Sequence, residues 1–111
     1  MICEAGDVVV VPFPFSDMPV AKTRPAVVIS PFSTNELEGE TLLAMVTTAA
    51  TSGRPGDTRL VDLAEAGLKV SCVVRLKVFT LDNRLVARRI GALSQGDRKS
   101  VRAAIQTVIA I

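Results

Sequence analysis

Short runs of β-branched residues, each bounded by proline or glycine, constrain the fold of this chain more than any other feature. The run Val8–Val11 ends at Pro12, and the run Ala26–Ser30 begins directly after Pro25. β-branched side chains favour strands, while proline and glycine interrupt regular structure, so both runs predict short strands. The same reasoning predicts strands over Thr41–Thr48, Arg59–Asp62, Ser71–Thr80 and Val86–Leu93, a short helical or turn element over Leu63–Gly67, and a turn at Leu81–Arg84.

The C-terminal segment has the period of a helix rather than of a strand. Ser94 and Asp97 resemble a capping arrangement, with aspartate in place of the usual glutamate, and mark the start of the helix. Apolar residues then recur on one helical face: Val101, Ala104, Ile105, Val108 and Ile109. Several short strands with one closing helix favour a mainly β fold, a small and strongly bent antiparallel barrel or sheet with a C-terminal helix, over a parallel α/β fold.

Length and composition fit one folded domain that spans residues 1–111. The chain has 111 residues, of which 49% are hydrophobic, and this is too apolar for a disordered protein. A domain of this size leaves much apolar surface uncovered, so we expect a homodimer. No apolar run reaches the roughly 18 residues that span a bilayer, so we expect a cytoplasmic protein with no membrane partner.

Cysteine and histidine content argues against a metal site or a disulfide framework. Cys3 and Cys72 are the only cysteines, they are far apart in the sequence, and the chain has no histidine. We therefore expect two reduced thiols, with Cys72 in the core, and no metal or cofactor.

Charge is distributed unevenly along the chain. Residues 1–66 carry four basic and nine acidic groups, a net charge of −5, whereas residues 67–111 carry nine basic and two acidic groups, a net charge of +7. Five of the basic residues lie close together in the sequence: Arg75, Lys77, Arg84, Arg88 and Arg89. On one shared surface they would attract a polyanion such as nucleic acid. The alternative is that they are solvated strand residues balanced by acids elsewhere in the fold.

Arg24 stands directly before Pro25, at the point where a loop is predicted to enter a strand. Proline fixes its own φ and moves the preceding residue toward an extended conformation, so Arg24 is held at the edge of a rigid element. A guanidinium keeps its charge near neutral pH and presents a planar set of donors that suits phosphate or carboxylate. Arg24 is therefore a candidate anion-binding residue, the alternative being an ordinary surface arginine in a turn.

Five segments occur in an order and spacing that resembles the signature of the MazF/PemK (Kid) toxins. They are Gly6-Asp7-Val8-Val9, Arg24-Pro25-Ala26-Val27-Val28-Ile29-Ser30, Val46-Thr47-Thr48, Thr80-Leu81-Asp82 and Ile90-Gly91-Ala92-Leu93-Ser94, and the resemblance covers essentially the whole chain. It implies an SH3-like barrel of the CcdB/PemK type, a homodimer, and the growth-inhibiting toxin of a type II toxin–antitoxin system. It further implies metal-independent cleavage of single-stranded RNA at short motifs, a cognate MazE/PemI-like antitoxin, and DNA binding only through the antitoxin complex.

The same resemblance implies that Arg24 and Thr47 are the catalytic residues, with Thr48 as the neighbouring alternative. Attack by the 2′-hydroxyl of RNA requires a proton removed, charge stabilised on the phosphorane and a proton supplied to the leaving oxygen. No histidine is present to move these protons. The carboxylates available for a metal route show no ligand spacing: Asp7, Asp17, Asp57 and Asp62. What remains is a cation with hydroxyls, and the pair that the resemblance implies is of this kind.

Six residues are candidates for RNA binding: Phe15, Asp17, Lys22, Thr48, Ser71 and Lys77. Many relatives carry a glutamate in the first loop; it is absent here, Asp17 is the candidate replacement, and Lys22 makes the loop more basic beside the arginine. Ser71 resembles a recurrent serine at the start of its strand. Lys77 either contacts a phosphate or covers apolar surface with its stem, and Phe15 either stacks on a base or packs in the core.

Two alternative functions, different from RNA cleavage, stay open. Because the first loop departs from the family pattern, one alternative is a catalytically weak or inactive barrel that binds nucleic acid or protein. The other is an inhibitor of topoisomerase, as in the structurally related CcdB toxins, that acts through its C-terminal helix. RNA cleavage, binding without turnover, and blocked DNA supercoiling distinguish the three functions.

Overall fold

The computed structural model describes residues 1–12, 22–49 and 53–111. The strands are β1 (Asp7–Pro12), β2 (Thr23–Val28), β3 (Glu40–Thr48), β4 (Thr58–Arg59), β5 (Cys72–Asp82) and β6 (Arg88–Ala92), and the helices are α1 (Phe32–Glu38) and α2 (Gln95–Val108). Within the described residues the strands form one antiparallel sheet in the order β4-β5-β3-β2-β1-β6. The mainly β fold with a C-terminal helix, predicted from the sequence, is confirmed.

Some strand boundaries differ from the predicted ones. β2 begins at Thr23, before the predicted start, and β4 overlaps the predicted strand Arg59–Asp62 only at its first residue. The predicted turn at Leu81 and Asp82 is wrong, because both residues still pair with β3 and so extend β5. The chain turns instead through a 3-10 helix at Asn83–Leu85.

α1 is a helix that the sequence pattern does not predict. It has seven residues, and its large apolar side chains, Phe32 and Leu37, are exposed, so no amphipathic period marks it. A buried asparagine holds it in place instead, because Asn35 Nδ2 donates to the backbone oxygens of Cys3 at 2.9 Å and Ser30 at 3.1 Å. A contact between segments so distant in the chain leaves no local signal.

Pro25 lies inside β2, where it is tolerated because one side of that strand is only partly paired. β2 pairs with β1 from Thr23 to Val27, including Pro25 with Val10. Its ladder with β3 runs only from the pair Ala26–Met45 to the pair Val28–Leu43. Proline has no N–H to donate to a ladder and is confined to places where that donor is not needed. The first half of β2 therefore lies beside β3 without ladder pairs.

Buried side chains form one cluster on each face of the sheet. The first lies on the face that α2 covers, which we call the helix face: Val8, Val27, Ala44, Val46, Leu60, Ala66, Cys72, Val74, Leu93 and Val101. The other lies on what we call the second face: Cys3, Val9, Val11, Ala26, Val28, Leu43, Phe79, Leu81 and Val86. Because successive strand residues point to opposite faces, the two clusters assign a face to each strand position.

The two cysteines lie in different clusters. Cys72 is a core residue on the helix face, as predicted, and Cys3 is buried on the second face. Burial raises the pKa of both thiols, so at neutral pH they are protonated and behave as small apolar residues.

α2 begins at the predicted cap. The backbone N–H of Asp97 donates to Ser94 Oγ at 3.1 Å. The Asp97 carboxylate accepts from the backbone N–H groups of Val61 and Asp62, at 3.0 to 3.2 Å, rather than reaching back to the cap. This buried carboxylate therefore ties the start of α2 to the segment that follows β4.

The apolar face of α2 is covered only in its first half. Val101 is buried and Ile105 packs against the helix-face cluster, whereas Val108 and Ile109 are 47% and 58% exposed. Neither helix of the described residues has the length and apolar character needed to cross a membrane.

The turn over residues 63–67, in agreement with the predicted helical or turn element, packs its backbone directly against β6. Gly67 has a φ of +73°, and a Cβ there would lie 2.0 Å from the backbone oxygen of Ile90. A Cβ at Gly91 would lie 2.4 Å from the backbone oxygen of Glu65. Backbone atoms cannot move aside as a flexible side chain can, so both positions require glycine.

Candidate functional site

Arg24 is exposed and lies in the second position of β2, directly before Pro25. It pairs with Val11 of β1, whose side chain belongs to the second-face cluster. Directly opposed residues of an antiparallel pair share a face, so Arg24 also points to the second face. Its strand position is in the half of β2 that lies before the first β2–β3 ladder pair, Ala26–Met45.

Thr47 and Thr48 end β3 and point to opposite faces. The β2–β3 ladder ends at the pair Ala26–Met45, and the same register continued by two positions would set Arg24 opposite Thr47. Thr47 is half-buried on the second face with Arg24, whereas Thr48 is exposed on the helix face. The register therefore separates the two threonines that the sequence leaves as alternatives.

The same level of the sheet carries a second arginine. Thr47 pairs with Val73 of β5, and Val73 pairs with Arg59 of β4. Arg59, Val73 and Thr47 are therefore consecutive partners across three neighbouring strands on the second face. Arg24 continues this line on β2 when the β2–β3 register is extended by two positions, and we call the four residues the cross-strand row. Sequence reasoning assigns no role to Arg59, because no local pattern indicates which strand lies beside β4 or in which register.

An ion pair beside the row holds the segment before β4 against β5. Arg75 donates to the Asp57 carboxylate from Nη2 at 2.9 Å and from Nε at 3.2 Å. The same carboxylate accepts from the backbone N–H of Arg54 at 2.9 Å. The hydrogen bonds from Arg75 hold the pKa of Asp57 below its ordinary value, against a smaller opposing effect of burial. We call this ion pair the β4 clamp.

The β4 clamp predicts a pH-dependent contribution to stability. Because the pKa of Asp57 is lower in the folded protein than the roughly 3.9 of an unfolded chain, the clamp stabilises the fold above about pH 4 and loses this effect as pH falls through the folded-state pKa. Asp57→Asn should lower the free energy of unfolding at pH 7, and its difference from wild type should shrink at pH 3. Urea unfolding at both pH values measures this.

The exposed Asp62 offers a matched control for that experiment, since Asp62→Asn removes the same charge without touching the clamp. It should leave the free energy of unfolding close to that of wild type at both pH values. An Asp57→Asn deficit of equal size at pH 7 and pH 3 would contradict the prediction.

The remaining sequence candidates lie around the row or outside the described residues. Ser71 is exposed, and its Oγ accepts a hydrogen bond from Arg59 Nη1 at 2.9 Å. Lys22 is exposed directly before β2, and Lys77 is exposed on β5, where it lines a concavity with Arg54 and Arg75. The predicted roles of Phe15 and Asp17 fall on residues outside the described part of the chain and stay predictions.

The five basic residues that are close in the sequence of the C-terminal half lie in different parts of the sheet. Arg75 and Lys77 lie on β5, whereas Arg88 and Arg89 lie on β6, and three strands separate β5 from β6 in the sheet. Three of the five form ion pairs: Arg75 with Asp57, Arg84 with Asp82 and Arg89 with Asp7, at 2.8 to 2.9 Å. Two carboxylates considered for a metal route are thus bound to arginine, and no three His, Cys, Asp or Glu side chains in residues 1–12, 22–49 and 53–111 group as metal ligands.

Comparison with known proteins relates the whole chain to one family and one fold. The family described as PemK-like, MazF-like toxin of type II toxin-antitoxin system matches residues 4–109. No curated protein matches the sequence.

Three solved structures have the same fold as this chain at sequence identities of 22% or less. MazF from Deinococcus radiodurans aligns with a TM-score of 0.78 and 22% identity, over 100% of this chain and 99% of that one. A MazE-MazF complex from the same organism aligns with a TM-score of 0.77 and 22% identity, over 97% and 96%. An endoribonuclease in complex with its cognate antitoxin, from a mycobacterial species, aligns with a TM-score of 0.76 and 14% identity, over 95% and 92%. At these identities the likeness shows the fold.

Proposed function

The chain belongs to the PemK-like, MazF-like family of toxins of type II toxin-antitoxin systems, and on that premise we propose that it is an endoribonuclease that cuts single-stranded RNA without a metal. The observation that supports the proposal is that Arg24 and Thr47 lie on the same face of neighbouring strands, each two positions beyond the last ladder pair, Ala26–Met45. A phosphate between them would meet a permanent cation from one strand and a hydroxyl donor from the next.

The reaction needs little more than this pair to stabilise its charge. The 2′-oxygen of the RNA forms a bond to phosphorus and loses its proton, while the bond from phosphorus to the 5′-oxygen breaks and that oxygen gains a proton. The products are a 2′,3′-cyclic phosphate and a 5′-hydroxyl. In the phosphorane that forms before the products, negative charge develops on the non-bridging oxygens, to which the Arg24 guanidinium and the Thr47 hydroxyl would donate hydrogen bonds.

Two partners belong to the same proposal. Neighbours of the same fold have been solved with MazE or with a cognate antitoxin bound, which supports an antitoxin as the partner that would block this site. Val108, the last residue of α2, and Ile109, which follows it, are exposed apolar residues that support a second copy of the chain as a further partner.

Incubation of the purified protein with a long single-stranded RNA in EDTA tests the proposed function. Fragments that end in a 2′,3′-cyclic phosphate and begin with a 5′-hydroxyl are the expected result, and mapping those ends gives the cleavage motif. RNA that is bound but stays intact would contradict the proposal and select a binding module. Intact RNA together with blocked DNA supercoiling would instead select a topoisomerase inhibitor.

A further inference from the structure

We propose that Arg59 binds a backbone phosphate that neighbours the scissile one on the same RNA strand, and that Ser71 positions the Arg59 guanidinium for this contact. The inference rests on the proposed function and extends the same site along the substrate. Arg59 is thus a substrate-binding residue, and Ser71 is a positioning residue that acts through Arg59.

The cross-strand row gives the geometry of this contact. Arg59 stands at one end of the row, Arg24 at the other, and Thr47 between them. Paired strands lie about 4.8 Å apart, so the two paired steps from Arg59 through Val73 separate its Cα atom from that of Thr47 by about 10 Å. An RNA strand whose scissile phosphate lies between Arg24 and Thr47, and which continues along the row, therefore brings its next phosphates toward the Arg59 side chain.

The charge of Arg59 is available to a ligand. Arg75, its neighbour on the same face, is neutralised by Asp57, whereas no carboxylate in the described part of the chain lies within ion-pair distance of Arg59. The partner of Arg59 is a neutral hydroxyl, because Nη1 donates to Ser71 Oγ at 2.9 Å. This hydrogen bond orients the exposed guanidinium but leaves its charge and its remaining donors for a phosphate.

Arg59 also lies on a strand that is anchored on both sides. Before it, Asp57 is held by Arg75, and after it, the backbone N–H groups of Val61 and Asp62 donate to the buried carboxylate of Asp97. The backbone that carries Arg59 is fixed on both sides, so it has little freedom left to lose on binding. Such preorganisation strengthens a contact that would otherwise be weak at a surface.

The salt dependence of binding tests the role of Arg59. The probe is a single-stranded 2′-O-methyl oligoribonucleotide that contains the mapped cleavage motif and cannot be cut. Arg59→Gln should weaken its binding by about tenfold and reduce the slope of log K against log salt by about 0.7, the value for one phosphate contact on a single strand. Arg59→Lys should keep the slope. In cleavage assays Arg59→Gln should raise KM with kcat nearly unchanged, as expected for uniform binding.

Arg102→Gln is the matched control, because Arg102 is exposed on α2, which packs on the helix face, and its loss changes the net charge equally. It should leave both the affinity and the salt slope near those of wild type. Thermal unfolding of each variant should coincide with that of wild type, since both side chains are exposed.

A double-mutant cycle tests the role of Ser71. Ser71→Ala should weaken probe binding by about threefold in the wild-type background and have no effect in the Arg59→Gln background, because it acts through Arg59. Equal weakening in both backgrounds would show that Ser71 has an independent role and would overturn this part of the inference.

The outcomes separate this inference from the proposed function. If the wild-type protein cuts RNA but Arg59→Gln keeps its affinity, KM and salt slope, the proposed function stands and the Arg59 contact is wrong. If the wild-type protein neither binds nor cuts RNA, both are wrong.

Discussion

Replacement of Arg24 by alanine is expected to slow RNA cleavage by on the order of 100- to 1000-fold while the protein stays folded. The loss follows from the position of Arg24, which is exposed on the second face of β2, the same face on which Thr47 ends the neighbouring strand β3. Without the guanidinium, no permanent cation from β2 would meet the charge that develops on the phosphorane. Single-turnover cleavage of the mapped RNA motif measures the rate, and thermal unfolding checks the fold.

Arg102→Ala is the control for this prediction. It removes the same charge from an exposed helical position on α2, away from the cross-strand row, so its cleavage rate should stay near that of wild type. A folded Arg24→Ala protein that cuts RNA at a rate close to wild type would remove Arg24 from the catalytic site.

Replacement of Thr47 by valine is expected to lower the cleavage rate by a similar factor, about 100-fold or more. Valine keeps the β-branched shape that suits β3 and removes only the hydroxyl. Thr48→Val is the control, because Thr48 precedes the same loop and carries the same group but points to the helix face. Its cleavage rate should remain within a few-fold of wild type.

The two threonine variants also test the register itself. If Thr48→Val is the slower enzyme and Thr47→Val is nearly normal, the hydroxyl that acts on the phosphate comes from the helix face, and the cross-strand row is not the active site. Single-turnover rates, measured at saturating protein, keep differences in RNA affinity out of the comparison.

The elements that the sequence predicts well are those whose signal is local. The valine run predicts β1 and Ser94 predicts the start of α2, because β-branching, proline and a capping hydroxyl act within a few residues. The sequence does not predict α1, because Asn35 holds this helix in place through a hydrogen bond to the backbone of Cys3, which is far away in the sequence. The sequence also does not predict the end of β5, because Asp82 belongs to the strand through its pairing with the distant residue Glu40.

Some residues of the candidate site can also be found from local sequence signals, and others only from strand pairing. Arg24 stands out in the sequence because the proline beside it constrains its backbone, and the family signature adds Thr47. The choice between Thr47 and Thr48 needs the β2–β3 register, and Arg59 becomes visible only when β4 is seen beside β5.

By itself, the sequence determined which segments are strands and which is the closing helix, where the helix is capped, and which toxin family the chain resembles. These follow from propensities and spacings that act along the chain. Only the tertiary structure decided that Thr47, Val73 and Arg59 are cross-strand partners on the same face as Arg24, and that Arg75 but not Arg59 has a carboxylate partner among the described residues. Strand pairing joins residues distant in sequence, and its register depends on the packing of both faces of the sheet, which no local pattern encodes.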